Sequence, residues 1–289
     1  MPKIIEHTSI EESFYDESYK NSTFFQGMPF EKYKEHVDER KKYLEKNKLP
    51  LLAINHEDEL LGYIFISARK VGDLYLKNHD SSIIQKLKNS NLEYTLKEKS
   101  NLIDILYLTT TCSEKFELER FKPINLRMGK DVADDSVSYG IEFKELCNSE
   151  MDKYFDLDAF KKATVRDYML EDPIMSESEA VAKFEKHVLP VFKLDNQKMY
   201  GVCWNNEVIG ILWLYEEDSE TMFIAYIEIF KEFRGQGFGK KVMYDMFSFV
   251  NNLGYKTLHL HVFGHNEKAV KLYEKTGFKN TLIRYRYTR

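Results

Sequence analysis

One short segment, Arg234-Gly235-Gln236-Gly237-Phe238-Gly239, constrains the fold more than any other part of the chain. It stands between a very apolar run, Phe223–Phe230, and a stretch where Phe238, Val242, Met246, Val250 and Leu253 recur at helical spacing before Gly254. A strand that passes through glycines into an amphipathic helix is a building unit of α/β proteins. The glycines let the backbone turn tightly and bring its N–H groups close to a ligand, and the helix start adds unpaired donors and partial positive charge. Such a turn suits a pyrophosphate. Its R-x-x-G-x-G spacing is neither a Walker loop nor a dinucleotide fingerprint, so a plain helix-start turn is the competing reading.

Around this segment the second half of the chain alternates strand and helix. Tyr139–Leu146 has strand period, Ser149–Glu171 is helical or nearly so, and Ser176-Glu177-Ser178-Glu179 predicts a capping box that opens the next helix. Met199–Trp204 and Val208–Tyr215 predict a hairpin across Asn205-Asn206-Glu207. Beyond the glycine segment come a strand at Leu258–Phe263, a helix from Asn266 to Thr276 closed by Gly277, and a last strand at Phe278–Tyr287. The polar, acidic stretch Lys130–Ser136 has no hydrophobic period and marks a seam, which predicts domains over residues 1–130 and 137–289.

The first half echoes this order. Leu51–Asn55 and Leu60–Phe65 match Tyr200–Trp204 and Val208–Leu212; Asp73–Lys77 and Ser81–Lys99 supply the next strand and helix; Ile103–Thr109 matches Thr257–Phe263; and Phe121–Ile124 matches Phe278–Thr281. The common order predicts a degenerate internal duplication, with an unrelated α/β lobe as the alternative. Where the second half has its glycines, the first has Asn78-His79-Asp80-Ser81-Ser82, without glycine and with an acid that repels phosphate. Further on, Ser113–Phe121 is shortened and lacks a tyrosine, so such a duplicate has lost any phosphate site.

About thirty residues after the glycine segment comes His261-Val262-Phe263-Gly264-His265-Asn266-Glu267-Lys268-Ala269-Val270-Lys271-Leu272-Tyr273-Glu274-Lys275-Thr276-Gly277-Phe278. Together the two segments resemble the GNAT-type N-acetyltransferase superfamily, with its R/Q-x-x-G-x-G/A loop and its N-x-x-A-x-x-L-Y-x-x-x-G-F helix. The resemblance covers about Gly140–Arg289 and implies a mixed, mostly antiparallel sheet flanked by helices, in tandem with a degenerate first lobe. It implies that Arg234, Gly235, Gln236, Gly237, Phe238, Gly239 and Lys240 hold the pyrophosphate of acetyl-CoA. It also implies that Ile227, Glu228 and Ile229 lie along the pantetheine arm, that Asn266 meets its end, and that Tyr273 sits near the thioester sulfur as general acid.

The chemistry of the residues agrees. Acetyl transfer to an amine needs a neutral amine, a polarised carbonyl and a proton for the departing thiolate. A phenol of pKa about 10 serves a thiol of about 8.5 when the site draws the two values together. Tyr273 has the alternative role of a core residue on an apolar helix face. His261 is the first choice for the base and Glu228 its rival, with a water chain or an already neutral amine as further alternatives. His259, His261 and His265 raise a metal reading, but no Cys or carboxylate completes a ligand set, and no metal is expected. Covalent catalysis by Cys112, Cys147 or Cys203 is disfavoured against direct attack on the thioester in a ternary complex.

Composition narrows the partners. The 289 residues carry 42 Lys+Arg against 47 Asp+Glu, a net charge of −5, which argues against nucleic acid and against an anionic membrane surface. Three cysteines are too few for a disulfide framework. No signal core or bilayer-length run is present, so a cytoplasmic location is expected and the sequon Asn21-Ser22-Thr23 is incidental. The expected reaction is acetyl-CoA-dependent acetylation of a primary amine on a small molecule or peptide. A non-catalytic acyl-CoA sensor and a tRNA-dependent aminoacyl transferase are the alternatives. Glu171 and Asp172, between two helices, are expected either to attract a cationic acceptor or to form a solvated helix end. The C-terminal Arg284-Tyr285-Arg286-Tyr287-Thr288-Arg289 alternation predicts a packed face opposite a solvated one, with a substrate-facing role or the edge of a homodimer as the alternative.

Overall fold

A computed structural model describes residues 3–20, 30–67, 69, 71–77, 81–88, 103–110, 121–132, 138–190 and 197–288. The sequon at 21–23, Asn78-His79-Asp80, the continuation to Lys99 of the helix opening at Ser81, Cys112 and the stretch 113–120 lie outside them. The chain forms two compact units: residues 1–126 with 280–289, and residues 127–279. This is not the single cut that the polar stretch at 130–136 suggests.

Unit 1 contains β1 (Lys3–His7), α1 (Glu12–Lys20), α2 (Phe30–Lys46), β2 (Leu51–His56), β3 (Glu59–Ile66), β4 (Val71–Leu76), α3 (Ser81–Lys88) and β5 (Ile105–Thr110). Strands β1 to β4 pair antiparallel in succession, and β4 then pairs parallel with β5. The sheet continues with β12 (Lys279–Thr288), antiparallel to β5, with Ile283 opposite Thr110 and Thr288 opposite Ile105. That pairing is why residues 280–289 belong to this unit. Tyr285 and Tyr287 are buried, as their alternation predicts, whereas Arg284 is not simply solvated. Its guanidinium pairs with Asp73 at 3.4 Å and stacks over the Tyr107 ring at 4.2 Å. Helices α1 and α2, absent from the sequence reading, bury Phe14, Tyr33, Val37 and Leu44 at helical spacing.

Strand β6 (Phe121–Asp131) begins in unit 1 and ends in unit 2. Unit 2 continues with β7 (Ile141–Glu145), α4 (Asn148–Tyr154), α5 (Leu157–Glu171), α6 (Glu177–His187), β8 (Gln197–Trp204), β9 (Glu207–Asp218), β10 (Thr221–Ile229), α7 (Phe238–Asn252), β11 (Thr257–Phe263) and α8 (Glu267–Lys275). Its strand order is β7-β8-β9-β10-β11-β6, antiparallel from β7 to β10 and parallel between β10 and β11. The fold is thus mixed α/β with a mostly antiparallel sheet, and unit 1 repeats the same strand order. Asn205 and Asn206 turn the β8–β9 hairpin with φ of 50° and 64°, conformations that asparagine tolerates. Ser176 and Glu179 make the reciprocal bonds of a capping box.

Helix α7 packs against β7 and β10 and fully buries Val242, Met243, Met246 and Val250. Each such side chain contributes roughly 1.5–3 kcal/mol of hydrophobic stabilisation. Along β11, Leu258, Leu260 and Val262 are buried, and His259 and His261 alternate onto the opposite face. Among the described residues no helix is long and apolar enough to cross a membrane.

Candidate active site

The site is built where β10 leaves its neighbour. Pairing between β10 and β11 runs from Thr221 opposite Thr257 to Ile224 opposite Leu260 and goes no further, although β10 continues to Ile229 and β11 to Phe263. At the same point a register shift against β9 leaves Ala225 as an extra residue between Ile224 and Tyr226. A bulge bends its strand and increases the local twist, and here it coincides with the parting of two parallel strands. The edge of β10 that faces the gap then presents main-chain groups to which an extended ligand can add.

The gap leads into the glycine turn. After a 3₁₀ turn at Lys231–Phe233, Gly235 and Gly237 take φ of 77° and 81°, left-handed values that side chains resist, with open space where a Cβ would stand. Gly239 serves packing: a Cβ there would lie 3.3 Å from Leu272 on α8. Helices α5, α6 and α8 begin on Asp156, Ser176 and Asn266, whose side chains accept from their own first turns. Helix α7 begins on Gly237, which has no capping side chain, and its first turn holds no acid but Lys240 and Lys241. Cations at a helix N-terminus oppose the macrodipole, an arrangement that an anionic ligand reverses.

Arg234 ties the turn to the strand. Its Nε donates to the Ile229 carbonyl at 2.7 Å, and a terminal nitrogen donates to Glu228 Oε1 at 2.6 Å. Glu228 Oε2 also accepts from the Tyr226 hydroxyl at 2.7 Å, and burial and this carboxylate raise the Tyr226 pKa. Glu228 is therefore engaged on both oxygens. Gln236 donates to the Glu232 carbonyl at 3.0 Å. On α8, Asn266 Oδ1 accepts from the Ala269 amide at 3.3 Å, so it caps its own helix.

Tyr273 is buried beside Phe278, ring centroids 5.6 Å apart, and burial alone pushes its pKa up to about 12. Its proton stays in place at neutral pH. None of the described contacts joins Tyr273 to Glu228 or His261. His261 keeps solvent contact and meets the edge of Phe223 at 5.3 Å. Surrounding protein and the Arg127 charge push its pKa down to about 4, which leaves it neutral but a weak base.

Next to His261 lies a cluster that the sequence did not reveal. Glu217 on β9 accepts from Arg127 on β6 and lies 2.8 Å from His259 Nδ1 on β11. Burial works to raise the Glu217 pKa, but the His259 and Arg127 hydrogen bonds and the Arg127 charge outweigh it and hold it at about 2. Phe223 stands opposite both Tyr215 and His259, so Tyr215, Glu217, Phe223, His259 and His261 share one face. Phe223 stacks on Tyr215 at 4.9 Å. The bulge keeps Tyr226 on that face too, where it meets Phe160 of α5 at 4.9 Å. The signal for the cluster was present as the alternations Tyr215-x-Glu217 and His259-x-His261, but its partners lie up to 132 residues apart.

Glu171 is buried and lies 3.8 Å from the Lys183 ammonium, and Asp172 accepts from the Ile174 amide at 3.3 Å, so the first is neutralised by a cation of this chain and the second closes a turn. Cys203 is buried, and burial raises its thiol pKa, which lowers its nucleophilicity. Among the described residues no group of three or more His, Cys, Asp or Glu could hold a metal ion; His265 lies 3.2 Å from Asp167 instead.

Residues 160–278 match the family described as Acetyltransferase (GNAT) family. The uncharacterized N-acetyltransferase YdgE of Bacillus subtilis (strain 168) is 30% identical over 142 residues, 45% of this chain and 90% of that protein. YycN, an uncharacterized N-acetyltransferase of the same organism, is 35% identical over 78 residues, 26% of this chain and half the length of YycN. A GCN5-related N-acetyltransferase from Sphaerobacter thermophilus aligns in structure over 99% of this chain and 95% of its own, at 12% identity and a TM-score of 0.47. The glycine turn, the parted strands and the helix carrying Tyr273 all fall inside the matched region, and the chain belongs to the GNAT acetyltransferase family.

Proposed function

We propose that unit 2 binds acetyl-CoA and transfers its acetyl group to a primary amine of a small molecule or peptide, by direct attack in a ternary complex. One observation carries the reading: the parted strands β10 and β11 lead straight into an uncapped, glycine-built helix start. The amides of residues 235–240 hold the pyrophosphate, with Arg234 fixing the turn. Main-chain groups of Ile227, Glu228 and Ile229 bind the pantetheine arm as an added strand, and Asn266 lies near its end. A main-chain N–H at the bulge polarises the thioester carbonyl as charge develops on oxygen.

Tyr273 donates to the departing sulfur. Its high pKa would oppose transfer to a thiol of about 8.5 in water, but the desolvation that raises the phenol also raises a thiol placed beside it. His261 and Glu228 are weaker choices for the base, the first because of its low pKa and the second because both oxygens are engaged. The acceptor belongs to the cytoplasm, and neither nucleic acid nor membrane is required.

The test is a panel of amines and peptides incubated with acetyl-CoA, reading free thiol as coenzyme A is released. Acyl transfer to at least one amine is expected. Tight coenzyme A binding without release to any amine would replace an enzyme with a sensor, and release that requires charged tRNA would favour an aminoacyl transferase.

A further inference from the structure

We propose that His259, held by Glu217, is the group that takes the proton from the acceptor's ammonium, with Arg127 fixing the carboxylate. The inference rests on the acetyl-transfer reading and replaces His261 as the base. It starts from position: His259 stands opposite Phe223, one residue before the last paired row of β10 and β11, at the closed end of the gap where an extended thioester arm would stop. Its side chain is 20% exposed, enough to meet an acceptor.

The tautomer of His259 depends on which of two neighbours Nδ1 bonds. Arg127 and His259 Nδ1 both lie against Glu217 Oε2, and Arg127 is also 2.8 Å from Nδ1. An ionised carboxylate can only accept, and a guanidinium can only donate. In the proposed arrangement Nδ1–H donates to Oε2 and Arg127 gives its proton to Oε2 and not to Nδ1, which leaves the Nε2 lone pair as the basic site. Glu217 keeps its charge down to about pH 2, so the pair is set throughout the working range.

The surroundings separate the two histidines. Among the described residues, the groups sharing the face around His259 include Arg127 from β6, Glu217 and Tyr215 from β9, Phe223 from β10 and His261 from β11. Burial and, after it, the Arg127 charge lower the basicity of His261, with Glu217 opposing them. His259 holds the carboxylate directly, so a proton gained at Nε2 gives an imidazolium next to a fixed anion. In the reaction R–NH₃⁺ gives its proton to Nε2. The freed lone pair forms the C–N bond, and the C–S bond breaks. The amide nitrogen loses its second proton as the thiolate becomes CoA–SH, and imidazolium then returns its proton to water.

The experiment uses the full chain with acetyl-CoA and three probes: spermidine, tryptamine and an alanine-initiated tripeptide. His259→Gln should lower kcat/KM at pH 7 by roughly 10²–10⁴-fold with acetyl-CoA affinity unchanged, and the loss should shrink at high pH as the amine becomes neutral by itself. Glu217→Gln should cost less and move the acid limb of the pH profile to lower pH, with Glu217→Asp restoring part of both. ¹⁵N spectra of labelled histidine should show a protonated Nδ1 and a bare Nε2 at His259. A wild-type rate for His259→Gln at pH 7, a loss that is equal at every pH, or a protonated Nε2 in the neutral ring would each overturn the proposal. If no probe is turned over by the wild-type chain, the acetyl-transfer reading fails on these acceptors, and the tautomer still decides the pair.

Discussion

The two units share a strand order but treat one strand differently. In each, a glycine on the third strand lies so close to the fourth that a Cβ would collide with a carbonyl oxygen: Gly62 with that of Tyr75, Gly210 with that of Glu228. Gly62 stands opposite Leu76 and Gly210 opposite Ile229, so these positions correspond. In unit 1 the fourth strand stays paired with its parallel neighbour up to Leu74, two residues short of Leu76. In unit 2 pairing stops at Ile224, five residues short of Ile229, where Ala225 bulges. No register shift interrupts β3 and β4. What lies at this strand in unit 1 is an ion-pair knot, Asp73 between Arg40 and Arg284, with Tyr75 half-buried nearby. Unit 2 thus departs locally from regular pairing beside the proposed groove, whereas unit 1 keeps the regular ladder and carries charge pairs there.

The largest expected effect tests that contrast directly. Calorimetry should give one acetyl-CoA per chain, and Gly237→Glu should remove it, at least 100-fold in affinity, because the change forces a side chain into left-handed backbone and brings a negative charge to a diphosphate. Two bound molecules, or unchanged affinity, would break the comparison.

The paired glycines come next. Gly62→Ala and Gly210→Ala should each destabilise by several kcal/mol, on the order of the largest single-site effects, since the collision is with backbone that cannot swing away. Thermal unfolding of the two variants measures this, and a mild effect at one site alone would deny their equivalence.

A pH scan should then separate the units. The folded pKa of Glu217 is depressed, so its contribution is fully present above an unfolded value near 4.5 and disappears as pH falls through about 2. About 3 kcal/mol should be lost over that window at roughly 1.4 kcal/mol per pH unit. Glu217→Gln should flatten the scan there.

The smallest effect concerns Tyr273. Phe at this position should reduce turnover on the order of 10- to 100-fold at saturating substrate and leave acetyl-CoA affinity nearly intact. Unaltered turnover would leave Tyr273 as a core residue.

Much of unit 2 was legible because its signals are local. The Asn205-Asn206 turn, the Ser176–Glu179 box, the glycines and the α8 segment each act within a few residues. The echo between Gly62 and Gly210 was legible for the same reason. The partner of a strand is another matter. Periodicity reports that 279–288 is a strand, not that it pairs with β5, more than 170 positions earlier. The Arg127–Glu217–His259 cluster was hidden likewise, since three strands must assemble before those side chains meet. Helices α1 and α2 were missed although Tyr33, Val37 and Leu44 repeat at helical spacing, because their polar majority masks a narrow apolar stripe.

The allocation of the last strand has a consequence for biosynthesis. Unit 1 emerges from the ribosome first, yet β5 gains its outer neighbour only after residues 280–288 have been made. Of the two lobes, the one whose strands are made first closes its sheet only after the other has been made, and until then the β5 edge is open to pairing with other chains.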